Sequence, residues 1–413
     1  MMTSLGLETC RKVSVLVVTS CLTMLPVAAV AQRSPSALAP GSAIPPTRIS
    51  RAVVVATEYL ERNCDTNGRF AYLVDTDSGQ VSPSYNVVRH AGAIYALAML
   101  NRLHPDANAV NTMVRAANFM RTTYIAPDAR SNALAIWSHP PPLNKKAELG
   151  AAGLGLVSLA AMDQARPNAV PLDQLEALGR FVLFLQKPDG SFYSRYFADK
   201  GLDRDWKSLY YPGEAALGLV SLFELDHSRK WLAAAGKGLA YLAQSRQGLQ
   251  EVPPDHWALI ATAKLLPYYE QSACPVSRAE LVQHAARICE RFLREQVTSA
   301  TDARVNGAFD PAGRTTPTAI RMEGLLAALE FLPKDNLRVR IEAAVQRGIV
   351  FLLNAQLTSG PYLGGMPGAV LASGSPRNVR STSEIRIDYV QHALSAWLRY
   401  EELYQRPTGN RGQ

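Results

Sequence analysis

Cysteine is scarce in this sequence: five in 413 residues, two of them (Cys10 and Cys21) close to the N-terminus. Loss of an N-terminal leader would leave Cys64, Cys274 and Cys289, an odd number, so at least one thiol is expected to be unpaired even in an oxidising compartment. Cys274 precedes a helix expected to start near Ser277, and Cys289 lies inside it. The two are therefore on the order of 18 Å apart, beyond disulfide reach. No CxxC or HExxH spacing occurs, which argues against a dedicated metal site, and no cofactor motif is found. The net charge is +8 and the pI about 9.2, yet no dense Lys/Arg run or nucleic-acid motif is present; nucleic acid is not the expected partner. Past the N-terminus no stretch is apolar and long enough to span a bilayer, so no stable membrane span is expected.

What is present starts with an export signal. Arg11 and Lys12 precede an apolar run from Val13 to Val30, and Ala29-Val30-Ala31 forms a small-x-small cleavage site before Gln32. Residues 1–31 read as a signal peptide, which places the mature chain in the periplasm or outside the cell. The rival reading is a lipoprotein processed at Cys21, on the Val18-Thr19-Ser20-Cys21 pattern; the apolar run continuing past Cys21 weighs against it. Residues 32–48 are rich in Pro, Ser and Ala and read as a flexible leader, residues 49–405 as one domain and 406–413 as a tail.

Within 49–405 the apolar periodicity is helical almost throughout. Helices are expected near 49–63, 86–104, 108–124, 146–164, 172–187, 212–226, 228–245, 255–270, 277–296, 317–333, 336–357 and 385–405. The odd-numbered helices are amphipathic, as in Leu337-Arg338-Val339-Arg340-Ile341-Glu342. The even-numbered ones are built from Ala, Gly and Leu, as in Gly150-Ala151-Ala152-Gly153-Leu154-Gly155. A helical glycine costs about 1 kcal/mol relative to alanine, so its repeated use implies close helix–helix approach. An outer and an inner ring of six helices each follow.

A second repeat marks the outer-helix exits. Phe184-Leu185-Gln186-Lys187-Pro188-Asp189-Gly190-Ser191-Phe192 is echoed by Asn67-Gly68-Arg69-Phe70, by Gln296 with Asn306-Gly307-Ala308-Phe309, and by Gln356 with Gly360-Pro361-Tyr362. A weaker echo pairs Gln244 with Gln247-Gly248. Six outer–inner hairpins with such exits resemble the α/α-toroid superfamily, which includes six-hairpin glycosidases, uronate lyases, a glucuronyl epimerase domain and terpenoid cyclases. The resemblance implies an all-α (α/α)6 toroid of about twelve helices in two concentric rings. It carries less about chemistry, because that fold hosts several reactions. With no Asp-rich motif present, the terpenoid-cyclase branch is disfavoured.

Parallel inner helices would open their N-termini on one face, where the macrodipole favours negative charge. In chain order those entrances carry Tyr85, Asn86, Arg89 and His90; Glu148; Tyr210, Tyr211 and Glu214; Asp255, His256 and Trp257; Arg321 and Glu323; and Arg386, Asp388, Gln391 and His392. Each has a plainer role open to it: carboxylates in a helix's first turn, arginines as their ion-pair partners, histidines satisfied in a core, aromatics lining a rim. Their concentration at one level points to a saccharide cleft, the basic net charge favouring an acidic saccharide. The foremost expectation is a glycoside hydrolase with Glu214 and Glu323 as the acid/base pair and Asp388 and Asp255 next. Substrate contacts would come from Tyr85, Asn86, Arg89, His90, Tyr210, Tyr211, His256, Trp257, Arg321, Arg386 and His392. One alternative is a uronate polysaccharide lyase or C5-epimerase, in which arginines neutralise a carboxylate while a tyrosine, His90 or His392 moves the proton. Another is a non-catalytic saccharide-binding or assembly factor. Gly364-Gly365-Met366-Pro367-Gly368 reads as a flexible loop, a lid by position.

Overall fold

The computed structural model describes residues 37–38, 43–140, 143, 146–372 and 380–405. All twelve expected helices are there, most boundaries within about three residues. The outer members are α1 (Pro46–Arg62), α3 (Ala107–Tyr124), α5 (Leu172–Leu185), α7 (Arg229–Ser245), α9 (Arg278–Glu295) and α11 (Asn336–Ala355). The inner members are α2 (Val87–Leu103), α4 (Leu149–Ala165), α6 (Tyr211–Asp226), α8 (His256–Leu265), α10 (Thr315–Ala328) and α12 (Ile387–Tyr404). Each inner helix packs on the next in chain order, and α12 packs back on α2, which closes the ring.

Inner helices need apolar and small residues on every side because neighbours and the outer ring enclose them. In α4 every residue from Leu149 to Leu159 is buried. A Cβ on Gly153 would lie 2.6 Å from the backbone nitrogen of Ala215, and one on Gly213 would lie 2.7 Å from that of Ala258. The α4–α6 and α6–α8 contacts are thus backbone-close, as the glycine content implies. Cys64, Cys274 and Cys289 are free thiols.

At three exits the repeat ties a hairpin to the following outer helix, while the weak echo at Gln244 and Gly248 does not, Gly248 bordering open space. Gln186 donates its side-chain amide to Ala234 O at 2.9 Å, Gln296 to Ala344 O at 2.9 Å and Gln356 to Ala52 O at 3.0 Å. Beside each amide is a glycine at positive φ: Gly190, Gly307 and Gly364, whose missing Cβ makes room for the carbonyls of Lys237, Arg347 and Val55. Gly68 stands in the same way against Arg115 O. The glycine of the last echo is therefore Gly364 and not Gly360, which borders open space. The 364–368 segment is also no loose lid. Met366 is fully buried, and Gly368 N donates to Glu384 O at 3.0 Å.

Other expectations change at the ends of elements. The leader gives way to α1 at Pro46, three residues early, and it is pinned rather than free at Leu38, whose N–H and C=O both bond the Asn354 side chain at 2.9 Å. Residues 1–31 and 406–413 lie outside the described residues. Short strands replace the expected first turns of two inner helices. β4 (Lys146–Glu148) leads into α4 and pairs with β5 (Arg195–Phe197), which pairs with β6 (Gly201–Leu202). β7 (Glu384–Arg386) leads into α12 and pairs antiparallel with β1 (Leu73–Asp75). A hairpin of β2 (Ile125–Asp128) and β3 (Ala133–Ile136) completes the set. Glu148 and Arg386 are therefore N-cap residues at strand ends and not first-turn residues.

Candidate active site at the inner-helix entrances

The ionisable groups at the entrances fall into those already committed to protein partners and those that are not. Asp388 is committed. It accepts from Arg386 Nε at 2.5 Å and Nη2 at 3.0 Å and from Arg89 Nε at 3.0 Å. Burial pushes its pKa up, but the bonds and charge of Arg386, then the charge of Arg89, outweigh burial and hold it below the usual carboxylate range. Asp255 is fully buried, caps α8 through Ala258 N at 3.1 Å and accepts from Arg246 Nη2 at 2.9 Å. Arg321 donates twice to Glu295 Oε2, at 2.6 and 2.9 Å, and to Pro317 O. Asn86 caps α2 by accepting from Arg89 N at 3.2 Å.

His90 is committed as well. Tyr85 OH lies 2.7 Å from its Nδ1, and its Nε2 lies 2.8 Å from Ala116 O. Burial lowers its pKa to about 4, so the ring is neutral and fills the core under Phe70 and Phe119. Tyr85 is bound in the same chain, accepting from Phe70 N at 3.2 Å.

Glu214 is different. It is 4 % exposed, and its Oε2 is enclosed without a hydrogen-bond partner. Burial, then the charges of Asp255 and Glu148, raise its pKa well above the glutamate range. It is a neutral carboxylic acid at pH values where ordinary glutamates are ionised. Gly150 makes its place: a Cβ there would lie 2.4 Å from Glu214 Oε2.

The remaining groups converge across α6, α8, α10 and α12. His392 Nδ1 lies 2.7 Å from Glu323 Oε2, and Glu323 is buried. Burial alone would lower the His392 pKa, but the Glu323 charge and hydrogen bond raise it above the ordinary histidine value. The His256 ring stands 6.0 Å from that of His392, nearly perpendicular. Both His256 nitrogens are enclosed with no hydrogen-bond partner, and burial, then His392 and Arg321, drive its pKa far down. Tyr210 meets His256 edge-on at 5.1 Å, and Trp257 lies 4.9 Å from His256 and 6.5 Å from His392. The donor atoms of His256, Glu323 and His392 lie within 4.8 Å of one another, close enough to hold a metal ion, although the short Glu323–His392 contact is already a hydrogen bond sharing one proton.

Sequence reasoning missed Tyr72, Lys146, Arg195, Trp206, Arg246 and Glu295. Tyr72 OH accepts from Arg89 Nη1 at 2.5 Å, Lys146 Nζ reaches Glu148 Oε1 at 3.0 Å, and the Arg195 guanidinium stacks 3.4 Å from the centre of the Trp206 ring. All six stand in loops, short strands or outer-helix ends, where no helical periodicity marks them. A separate cavity of about 280 Å³ lies between α7 and α9. Its ionisable groups are spent locally: Glu280 bonds Ser277, Arg287 donates to the carbonyls of Arg246 and Gln247, and burial lowers the His284 pKa to about 3.

No family model and no curated protein matches the sequence. Solved structures do match its fold. A D-mannose isomerase superimposes with a TM-score of 0.65 at 15% identity, over 88% of this chain and 98% of its own. The cellobiose 2-epimerase of Bacillus thermoamylovorans gives 0.64 at 12%, over 86% and 98%, and an unsaturated glucuronyl hydrolase specific for heparin 0.61 at 13%, over 87% and 98%. The chain is an α/α toroid, as its hairpin repeat implies.

Proposed function

We propose that this toroid is a saccharide-active enzyme that moves a proton on a sugar, as an isomerase or epimerase, with His256 and His392 as the acid/base pair. The observation that carries the reading is the pair of imidazoles with ring centres 6.0 Å apart, one held by Glu323 and the other without a hydrogen-bond partner. Glu323 takes the Nδ1 proton of His392 in a hydrogen bond, which leaves Nε2 as the basic nitrogen and strengthens it. A neutral His256 opposite can accept or return a proton without an unpaired buried charge at rest. The proton removed from the carbon beside a sugar carbonyl would go to one imidazole nitrogen while the other imidazole donates a proton to the carbonyl oxygen, leaving an enediol. A proton delivered by the second imidazole to the opposite face inverts that carbon, and return of the first proton to the neighbouring carbon interconverts aldose and ketose. No external oxidant or reductant is needed. The partly exposed Tyr210 offers a ring for a sugar to stack on, whereas Trp257, expected from the sequence to contact substrate, is buried. The fold shared with a mannose isomerase and a cellobiose epimerase supports a saccharide as substrate.

The test is proton NMR of mannose, glucose or cellobiose incubated with the protein in D2O. Deuterium is expected at C2 together with the epimer or ketose. His392→Asn and His256→Asn are each expected to slow exchange by about 10²–10⁴-fold, the usual worth of a positioned acid or base. Exchange should survive a chelator; loss restored by zinc would make the three side chains ligands instead. Wild type that incorporates no deuterium on any of these sugars or on their glucuronyl, 6-phospho and 6-sulfo counterparts overturns the proposal.

The Glu214 environment favours a second reading, glycoside hydrolysis with Glu214 as general acid. The opposing carboxylate expected from the sequence, Glu323, is bonded to His392, so the dyad and not a free carboxylate would activate water. Release of reducing sugar abolished by Glu214→Gln, without C2 exchange, is the outcome that reading requires.

A further inference from the structure

Glu148 and Arg195 stand opposite each other where β4 pairs with β5. Glu148 Oε1 takes Lys146 Nζ at 3.0 Å and lies 3.5 Å from Arg195 Nε, an ion pair too long to count as a good hydrogen bond. Among the described residues the Arg195 side chain makes no hydrogen bond, and its Nε is enclosed without one. The side chain is nevertheless fixed. Its guanidinium carbon sits over the Trp206 ring, 3.4 Å from the ring centre, and that ring is 5.6 Å from that of Tyr211. Four other arginines at the entrances are spent: Arg321 on Glu295, Arg89 and Arg386 on Asp388, Arg246 on Asp255. Here two cations share one carboxylate, and a held guanidinium fork keeps its donors. Such a fork matches the paired oxygens of a carboxylate, phosphate or sulfate.

Its place ties it to the chemistry. Tyr211, beside Trp206, is the chain neighbour of Tyr210, which meets His256 edge-on. We infer that Arg195, with Lys146, binds an anionic substituent of the saccharide, so that the substrate is an acidic sugar whose charged group lies next to the reacting end. This rests on a saccharide being the ligand, as proposed above. A purely structural Arg195 would only fasten β4 to β5, and its loss would change stability without changing selectivity for charge.

The experiment is binding, which does not depend on turnover: calorimetric titration of the wild-type protein with cellobiose and with its glucuronyl, 6-phospho and 6-sulfo counterparts. At least one anionic sugar is expected to bind about 10–100-fold tighter than cellobiose, the range of a hydrogen bond to a charged group, and to lose that advantage as salt rises. The preferred arm identifies the anion. Arg195→Gln should bring the anionic sugar to the affinity of cellobiose and leave cellobiose binding within about twofold, while Lys146→Gln weakens the preference in part. Should Arg195→Gln fail to fold, the Lys146 variant and the salt dependence decide. Equal affinity for all four sugars, binding of none, or a preference untouched by the Arg195 and Lys146 variants overturns the inference. Retained anion preference without deuterium exchange overturns the proton-transfer reading alone.

Discussion

Three histidines on inner helices have three different fates, set by their partners and not by their helices. His90 has both nitrogens taken, His392 has one held by Glu323, and His256 has neither engaged. The raised pKa of Glu214 means that, above the ordinary glutamate range, the folded chain binds a proton the unfolded chain has lost. Stability contributed by the neutral carboxyl is therefore lost as pH rises from the unfolded pKa towards the folded one. Each pH unit in that window costs at most about 1.4 kcal/mol. Glu214→Gln lacks this titration, so its stability advantage over wild type should grow between pH 5 and pH 7. Urea unfolding of both proteins at several pH values checks it, and a constant difference refutes the neutral-carboxyl assignment.

Among elements, the exits of α5, α9 and α11 do the joining. The glutamine amide and the positive-φ glycine both address carbonyls of the next outer helix, so one short repeat fixes hairpin spacing at three of the junctions. At Gly307, φ is +93° and an added Cβ would sit 2.3 Å from Arg347 O. Gly307→Ala is expected to destabilise by about 2–4 kcal/mol, left-handed strain plus overpacking. The same change at Gly360, where nothing lies within 4 Å, should cost only the strain. Equal losses in thermal or urea unfolding would dismiss the docking role. The repeat was legible in the sequence, but the last glycine was not. Gly360-Pro361-Tyr362 copies the glycine–aromatic pattern, and only contact with Val55 O identifies Gly364. The strands were illegible for a simpler reason: at two to four residues they are too short to show alternation.

At the scale of the molecule the ring is closed by its last helix. α12 packs on α1, α2 and α10, and β7 pairs with β1 beside it. Closure lets inner helices be apolar on all sides, with no capping repeat to shield an exposed flank. Truncation before Ile387 would uncover the flanks of α2 and α10 and remove Trp397, which is fully buried. That variant is expected to lose cooperative urea unfolding and to be cleaved rapidly by protease; a wild-type transition would mean that the rest of the ring holds without closure. The candidate site depends on the same closure, because His392, Asp388 and Arg386 all come from this final segment.

By itself the sequence determined the twelve helices, which six lie inside, and the level at which polar side chains collect. These follow from periodicity and composition read over a dozen or so consecutive residues. Tertiary structure alone decided which of those side chains are free to react. Asp388 is occupied by Arg89, 299 positions away, and His392 is oriented by Glu323, 69 positions away, while His256 and Glu214 are walled off without partners. Desolvation and hydrogen bonding arise between residues that only the folded ring brings together, and no local pattern in the chain encodes them.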